Sequence, residues 1–462
     1  MSPTPAPDDE RRGLARQLGL REAAAIVIGG IIGSGIFMTP GIVAREAGTP
    51  ALALLVWTVA GGLAFCGALS FAELGASIPQ TGGTYQFLRV AYGTPLVAFL
   101  CGWAFFFVDG TGAIASLATT FATYSGFFLG RVLPMSGATF RTVAVLTIGI
   151  IGAINYVGVK AGGRTQVVFT ALKIVALVGI IAAGLLSEGG WEHLRATPSV
   201  RPEGPLGPRF ATGMIGALFS YAGWSYTSYV AGEIDNPRRN LPLSIIVGMV
   251  VVLAAYLTVN VAYMKVLPFA ELQQSALVAS DAMQRVIGPR SAGLIAAAVM
   301  VSTIGALNAV TLVYARIAFA MAGDGLFFRR LSKVHPRYRT PANAIVVQGI
   351  VAALFALSGS FEQIVDYFAF IDYFFFGLAV ASVIILRHRF PSMPRPFKMW
   401  GYPVTPLLFL ITTAWYLSQV LTHRFRESMV GIGILLAGIP FYWYWRRAQT
   451  AAAASSDPAR VG

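Results

Sequence analysis

The sequence predicts an all-α membrane protein with twelve transmembrane helices. Three observations carry this expectation: the composition, a succession of long apolar segments, and glycine clusters inside two of them. Of 462 residues, 56% are hydrophobic and only 12% charged, with mean hydropathy +0.68. Soluble domains usually carry about 25% charged residues. A spanning helix needs about 20 mainly apolar residues. Such segments fall at 22–45, 51–77, 96–128, 141–158, 165–187 and 209–234, then at 242–266, 290–322, 342–358, 362–387, 403–421 and 428–446. The ninth is short, and Pro403 and Pro406 blur the start of the eleventh.

Span 1 contains Ile26-Val-Ile-Gly-Gly-Ile-Ile-Gly-Ser-Gly-Ile-Phe-Met-Thr-Pro40, with Gly29, Gly30, Gly33 and Gly35 in seven residues. Glycine costs roughly 1 kcal/mol relative to alanine inside a helix. Two readings fit this segment alone. It is either a broken helix whose freed N–H and C=O groups face a solute at mid-membrane depth, or a seam of small residues for close helix packing. Span 6 contains Ile215-Gly-Ala-Leu-Phe-Ser-Tyr-Ala-Gly-Trp-Ser225, a second interrupted apolar segment five spans later. The two copies therefore cross in opposite directions, and such paired interruptions favour an inverted-repeat transporter. The repeats are residues 21–188 (spans 1–5) and 209–388 (spans 6–10). Residues 389–446 add spans 11 and 12.

Several spans carry polar residues that need a reason. Lys173 lies about ten residues into span 5, roughly 15 Å deep at about 1.5 Å per residue. An isolated lysine there costs at least ~2.5 kcal/mol, so it should face protein or water rather than snorkel. Asp109 in span 3, with Asp366 and Asp372 in span 10, could relay protons, pair with polar backbone or lie near span ends. Glu73, Glu233, Asp235 and Arg316 read as inner-gate or loop pairing residues. Asn308 in span 8 either contacts the span 1 break or is packing polarity, and Gly305 one turn earlier lets helices approach.

Lysine and arginine set the orientation. With the N-terminus inside, about 21 fall on inner segments against about 11 on outer ones, which places both termini in the cytoplasm. Basic loops against an anionic leaflet also explain the net charge of +14 without nucleic acid. The first 20 residues are polar and span 1 is too long for a signal h-region, so no cleavable leader is expected. Residues 1–20 and 447–462 read as poorly ordered tails. Cys66 and Cys101 sit in apolar stretches and read as packing residues; no metal or other cofactor is expected.

Four segments together are similar to the amino acid–polyamine–organocation superfamily, and within it to the L-type amino acid transporters and their bacterial relatives. They are Gly-Ser-Gly-Ile-Phe at 33–37; Ser70-Phe-Ala-Glu-Leu-Gly with Thr81-Gly-Gly-Thr-Tyr85; and Phe219-Ser-Tyr-Ala-Gly-Trp224 running to Gly232-Glu-Ile-Asp-Asn-Pro237 and Pro242. The fourth is Ala315-Arg-Ile-Ala-Phe319 with Gly323-Asp-Gly-Leu326, His335-Pro336 and Thr340-Pro341.

The resemblance implies the leucine-transporter fold, with substrate held between the unwound parts of spans 1 and 6. The amides of Ser34, Gly35 and Ile36, beside Gly33, open the second half of span 1, where a helix N-terminus suits a carboxylate. Carbonyls of Ile31 and Ile32, and those around Phe219, Ser220 and Ala222, beside Gly223, can accept from an ammonium. Phe219 matches an aromatic lid, and Trp224 packs the break. Ser225 and Ala222 depart from the family pattern, which leaves side-chain selectivity open. By the same resemblance Lys173 occupies the place of a sodium ion and bonds carbonyls near Gly30 and Ser34.

Other function classes fit poorly. Four histidines, all in or beside loops, supply no intramembrane hydrolase centre. A channel needs a selectivity ring or filter, and a receptor needs a soluble output region. The reading is therefore a sodium-independent transporter of neutral amino acids in the inner membrane, acting as an exchanger. No covalent accessory subunit is expected, because neither cysteine lies in an outer loop. A cationic amino acid or polyamine antiporter, or a proton symporter, is the alternative, and Asp109 decides between them.

Overall fold

The structure is a computed structural model describing residues 14–130, 132–134, 136–195, 204–358, 361–423 and 425–455. The described residues are mainly helical and contain no β-strand beyond an isolated bridge between Leu18 and Ile234. In chain order the helices are α1 (Leu20–Ile31), α2 (Gly35–Ala47), α3 (Pro50–Ser77), α4 (Thr84–Tyr92), α5 (Pro95–Leu129), α6 (Gly137–Val157), α7 (Val159–Leu186) and α8 (Leu206–Ser220). They continue as α9 (Tyr226–Tyr229), α10 (Pro237–Val266), α11 (Phe269–Gln274), α12 (Val278–Ile287), α13 (Ser291–Gly323), α14 (Ala342–Ser358), α15 (Phe361–Arg389), α16 (Val404–His423) and α17 (Phe425–Ser455).

Among the described residues nine helices are long and apolar enough to cross a membrane, and α1 with α2 makes a tenth span bent by 43°. The chain is a multi-pass membrane protein. α14 has only 17 residues, and the segment expected as span 6 is not one helix. α8 stops at Ser220, a turn follows, and α9 is a single short piece. The amphipathic helix α4 and the pair α11 and α12 lie in connections that hydropathy alone left as loops.

Local chemistry explains the ends. Thr49 Oγ1 accepts from Leu52 N–H at 3.2 Å and Pro50 opens α3, where its missing N–H costs nothing. Gly48 closes α2 at φ 76°, a left-handed C-terminal turn. α5 contains a π-helical stretch, Phe105–Gly110, of the kind often found at functional positions.

Of the segments expected as tails, residues 1–13 and 456–462 lie outside the described residues, and residues 14–20 and 447–455 are docked on the rest. Leu18 is fully buried, Gln17 and Leu18 N–H both donate to Glu233 C=O at 3.0 Å, and Asp235 N–H donates to Leu18 C=O. At the other end α17 runs on to Ser455, and Gln449 Nε2 donates to Asp324 C=O. Backbone pairing and docking on neighbours tie down segments that are too polar to read as structure in isolation.

Glu233, where the N-terminal segment docks, also meets Arg316 in a fully buried bidentate pair at 2.7 and 3.0 Å. Glu73 holds Arg387 at 2.8 and 2.6 Å and receives Met399 N–H. Removing one member of a buried pair strands a charge and costs about 3–5 kcal/mol. Glu233→Ala should therefore lower the thermal unfolding midpoint in detergent far more than Glu271→Ala, whose pair with Arg285 is exposed on both sides. Equal shifts would show that the buried pair contributes little.

Candidate transport site

The helix breaks at Ile32–Ser34 expose backbone groups, and the structure accounts for most of them. Gly33 N–H turns back to Ile31 C=O at 2.7 Å. Lys173 Nζ, buried on α7, donates to Gly29 C=O and Ile32 C=O at 2.6 Å each, the short distances of a charge-assisted bond. Ser302 Oγ on α13 reaches Ile32 C=O at 3.0 Å and Gly33 C=O at 3.1 Å. Tyr256 on α10 lies between the two interrupted segments, its hydroxyl 3.0 Å from Ile31 C=O and 3.2 Å from Ser220 C=O. The lysine partners differ slightly from expectation, Gly29 and Ile32 rather than carbonyls near Gly30 and Ser34.

These bonds bear on the Ile31 and Ile32 carbonyls. Ile31 and Ile32 were expected to offer carbonyls to a substrate ammonium, and protein donors already lie on both: Gly33 N–H and the Tyr256 hydroxyl at Ile31, Lys173 Nζ and the Ser302 hydroxyl at Ile32. Each hydroxyl has one proton, which Tyr256 shares between Ile31 and Ser220 and Ser302 between Ile32 and Gly33, so each isoleucine carbonyl has one full protein donor and part of a second. Further carbonyls lie on the opposite segment. Phe219 C=O takes Ala222 N–H at 3.1 Å and Tyr221 N–H also turns back to it, and Ala222 is half-buried. The N–H groups of Ser34, Gly35 and Ile36 open α2, in the first turn where helices leave amides unpaired. Gly33 and Ser34 are partly exposed, whereas the side chains of Ile31, Ile32 and Ile36 are buried in the core. The open face is therefore backbone.

Small residues set the spacing. A Cβ on Gly35 would lie 2.8 Å from Ser220 Oγ and 3.2 Å from its Cα. Gly223 has φ +112° and a Cβ there would stand 3.0 Å from Gly30 C, so the two interrupted segments touch backbone to backbone. Gly305 leaves the room that Lys173 fills, because a Cβ there would be 2.6 Å from Lys173 Cε. Both readings of the glycine cluster hold: the helix is broken, and its glycines allow close packing.

The remaining candidates divide by position. Phe219 is 56% exposed at the end of α8. Trp224 is 1% exposed and packs against Phe71, Phe376 and Phe409. Ser220 is buried and tied to Thr39 Oγ1 at 2.7 Å, and Ser225 is also buried, so neither side chain lies on the open face. Asn308 does not reach the break. Its side chain bonds Asn155, Gly162 C=O and Gln166, and Gln166 with Thr170 in turn donates to Ala25 C=O. Asp109 is buried against Tyr314, which donates to it, and faces the bundle. Asp366 has a side chain outside the described residues. Sequence reasoning missed Tyr256 and Ser302; as single hydroxyl residues inside apolar spans they carry no local pattern.

The sequence profile described as "Amino acid permease" matches residues 18–435, which covers both interrupted segments and Lys173. The chain belongs to the amino acid permease family. The permease is 33% identical over 439 residues to the b(0,+)-type amino acid transporter 1 of Homo sapiens, covering 93% of this chain and 88% of that one. It is 32% identical over 437 residues to the serine/threonine exchanger SteT of Bacillus subtilis (strain 168), covering 94% and 98%. Against the Homo sapiens cystine/glutamate transporter the identity is 30% over 441 residues, 95% and 86% of the two chains. The family and these relatives are transporters, not enzymes, and the resemblance to the amino acid–polyamine–organocation superfamily holds.

Proposed function

We propose that this permease is a sodium-independent exchanger of neutral amino acids. It works by alternating access in the inner membrane, with twelve spans in the leucine-transporter arrangement of two inverted five-helix repeats. Both termini are cytoplasmic and no covalent accessory subunit takes part. One observation carries the reading: Lys173 Nζ sits on Gly29 and Ile32 carbonyls. A cation built into the chain meets the freed carbonyls of the break, so no metal ion is needed there. The amides opening α2 remain for a carboxylate, and the α8–α9 turn for an ammonium.

The neutral side chain follows from what the open face lacks. Burying a second positive charge without a carboxylate costs several kcal/mol, and the carboxylate of Asp109 is turned to Tyr314 instead. The named serine/threonine exchanger among the relatives agrees with small neutral substrates and exchange.

Purified permease in liposomes loaded with serine, alanine, leucine, arginine, glutamate or putrescine tests this directly. Uptake of a labelled neutral amino acid should require a neutral amino acid inside and be unchanged when sodium is replaced by choline. The methyl ester of the same amino acid should not compete, because it lacks the charge that the α2 amides favour. An absolute sodium requirement, competition by the ester, or stronger inhibition by arginine or putrescine than by every neutral compound refutes the proposal.

A further inference from the structure

Asn308 does not reach the break, yet it stands in a chain of buried side chains that ends on span 1. Asn155 on α6, Asn308 on α13, and Gln166 and Thr170 on α7 are each no more than 4% exposed. Asn155 Nδ2 donates to Ile151 C=O at 3.0 Å and to Asn308 Oδ1 at 2.9 Å. Asn308 Nδ2 donates to Gly162 C=O at 3.0 Å and to Gln166 Oε1 at 2.8 Å. Gln166 Nε2 then faces Ala25 C=O on α1 at 3.2 Å, and Thr170 Oγ1 donates to the same oxygen at 3.0 Å.

The direction of every amide in the chain is forced. The carbonyls of Ile151, Gly162 and Ala25 can only accept, so an NH2 group must face each of them. Asn155 gives one proton to Ile151 and turns the other to the oxygen of Asn308. Asn308 then presents both of its protons to Gly162 and Gln166, and Gln166 keeps its own NH2 for Ala25. Turning any one amide over sets like groups against each other at both ends, away from water that could relieve them.

We propose that Gln166, Thr170 and Asn308 are positioning residues for the transport break, holding α1 in axial register with α7 so that Lys173 meets the Gly29 and Ile32 carbonyls. Gln166, Thr170 and Lys173 follow each other at four and three residues along one face of α7. The acceptors Ala25, Gly29 and Ile32 have the same spacing on span 1. The two helices therefore advance together, and the bonds at Ala25 fix where Lys173 arrives two turns later. Sliding α1 by one residue moves it ~1.5 Å and turns it by about 100°, which breaks every one of these bonds. Gly29 permits the approach, since a Cβ there would collide with Gln166 Nε2 and Thr170 Oγ1.

The outer half of span 1 is bonded to other elements. Thr39 on α2 meets Ser220 of α8, Arg45 Nε donates to Gln273 C=O of α11 at 3.1 Å, and Arg209 of α8 donates to Glu46 C=O at 2.9 Å. Loosening the amide chain should therefore free α1 and leave α2 in place. This role rests on the amino acid reading of the break, and it belongs to side chains that do not touch the substrate.

Two readouts on the full-length protein test it: hydrogen–deuterium exchange of α1 and α2 in detergent, and uptake kinetics of labelled L-serine in serine-loaded liposomes. Gln166→Met keeps the volume and removes the amide, Thr170→Val removes only the hydroxyl, and Thr170→Ser restores it. Gln166→Met and Thr170→Val should speed deuterium exchange in α1 about tenfold and leave α2 within about twofold of the wild type. KM should rise about tenfold with little change in maximal rate, because saturating substrate selects the aligned break. Asn308→Leu should act like Gln166→Met, although the bonds of Asn308 reach neither half of span 1. Thr170→Ser should match the wild type in both readouts. Gln348→Met is the control, since this buried amide on α14 bonds nothing among the described residues and its loss should change neither readout.

Equal acceleration of α1 and α2, wild-type behaviour of Gln166→Met, or a loss of maximal rate at unchanged KM overturns the positioning role. So does a Thr170→Ser variant no better than Thr170→Val, a comparison that stands even if Gln166→Met or Asn308→Leu fails to fold. If the wild type takes up no amino acid, the function proposed above fails instead, and deuterium exchange still decides whether the chain holds α1.

Discussion

Lys173→Ala is expected to reduce exchange by about 100-fold or more while leaving a folded, monodisperse protein. The substitution takes away the only described donor to Gly29 C=O and one of two to Ile32 C=O. A buried carbonyl left without its partner costs about 1–3 kcal/mol. Losing about 3 kcal/mol from the aligned form of the break lowers its population roughly 100-fold, at about 1.4 kcal/mol per factor of ten. The fold should survive because Tyr256 and Ser302 still hold Ile31, Ile32 and Gly33. Liposome exchange, with size-exclusion chromatography as the folding control, checks both halves. Wild-type exchange in Lys173→Ala would mean that the ammonium is dispensable at the break.

The second large effect belongs to Gly35. Valine there places a Cβ 2.8 Å from Ser220 Oγ and 3.2 Å from Ser220 Cα, with branches beyond it. The hydroxyl could rotate away, but the Cα belongs to the backbone of α8 and can move only by pushing the two interrupted helices apart. That separation removes the facing donors of α2 and acceptors of the α8–α9 turn together, so binding should fall below detection, by about 1,000-fold or more in affinity for a loss of ~4 kcal/mol. Gly62→Val is the matched control, since a Cβ there meets nothing within 4 Å. Comparable loss in both variants would point to a general intolerance of α-helical glycine replacement rather than to the close approach.

Local chemistry made much of the protein legible. Apolar length marked where helices lie, because a bilayer demands internally satisfied backbone along about 20 residues. The glycine clusters of spans 1 and 6 marked the breaks, because glycine is costly in a helix unless something must approach. Lys173 stood out because a lone cation at that depth needs partners. The short connecting helix α4 was invisible to the same reasoning, since its nine residues are too few and too polar to resemble a span.

The sequence by itself determined that the chain is a helical membrane protein, that two of its spans are interrupted, and that one lysine must be satisfied inside. These are properties of residues taken against a bilayer, and they need no knowledge of neighbours. Only the tertiary structure decided which atoms satisfy which. It gave the Ile31 and Ile32 carbonyls to Tyr256, Lys173 and Ser302, turned Asp109 away from the open face to Tyr314, and moved Asn308 one step back from the break. The reason is that a hydrogen bond has a range of about 3 Å and a direction. Partners from helices more than a hundred residues apart meet that condition only once the bundle has packed.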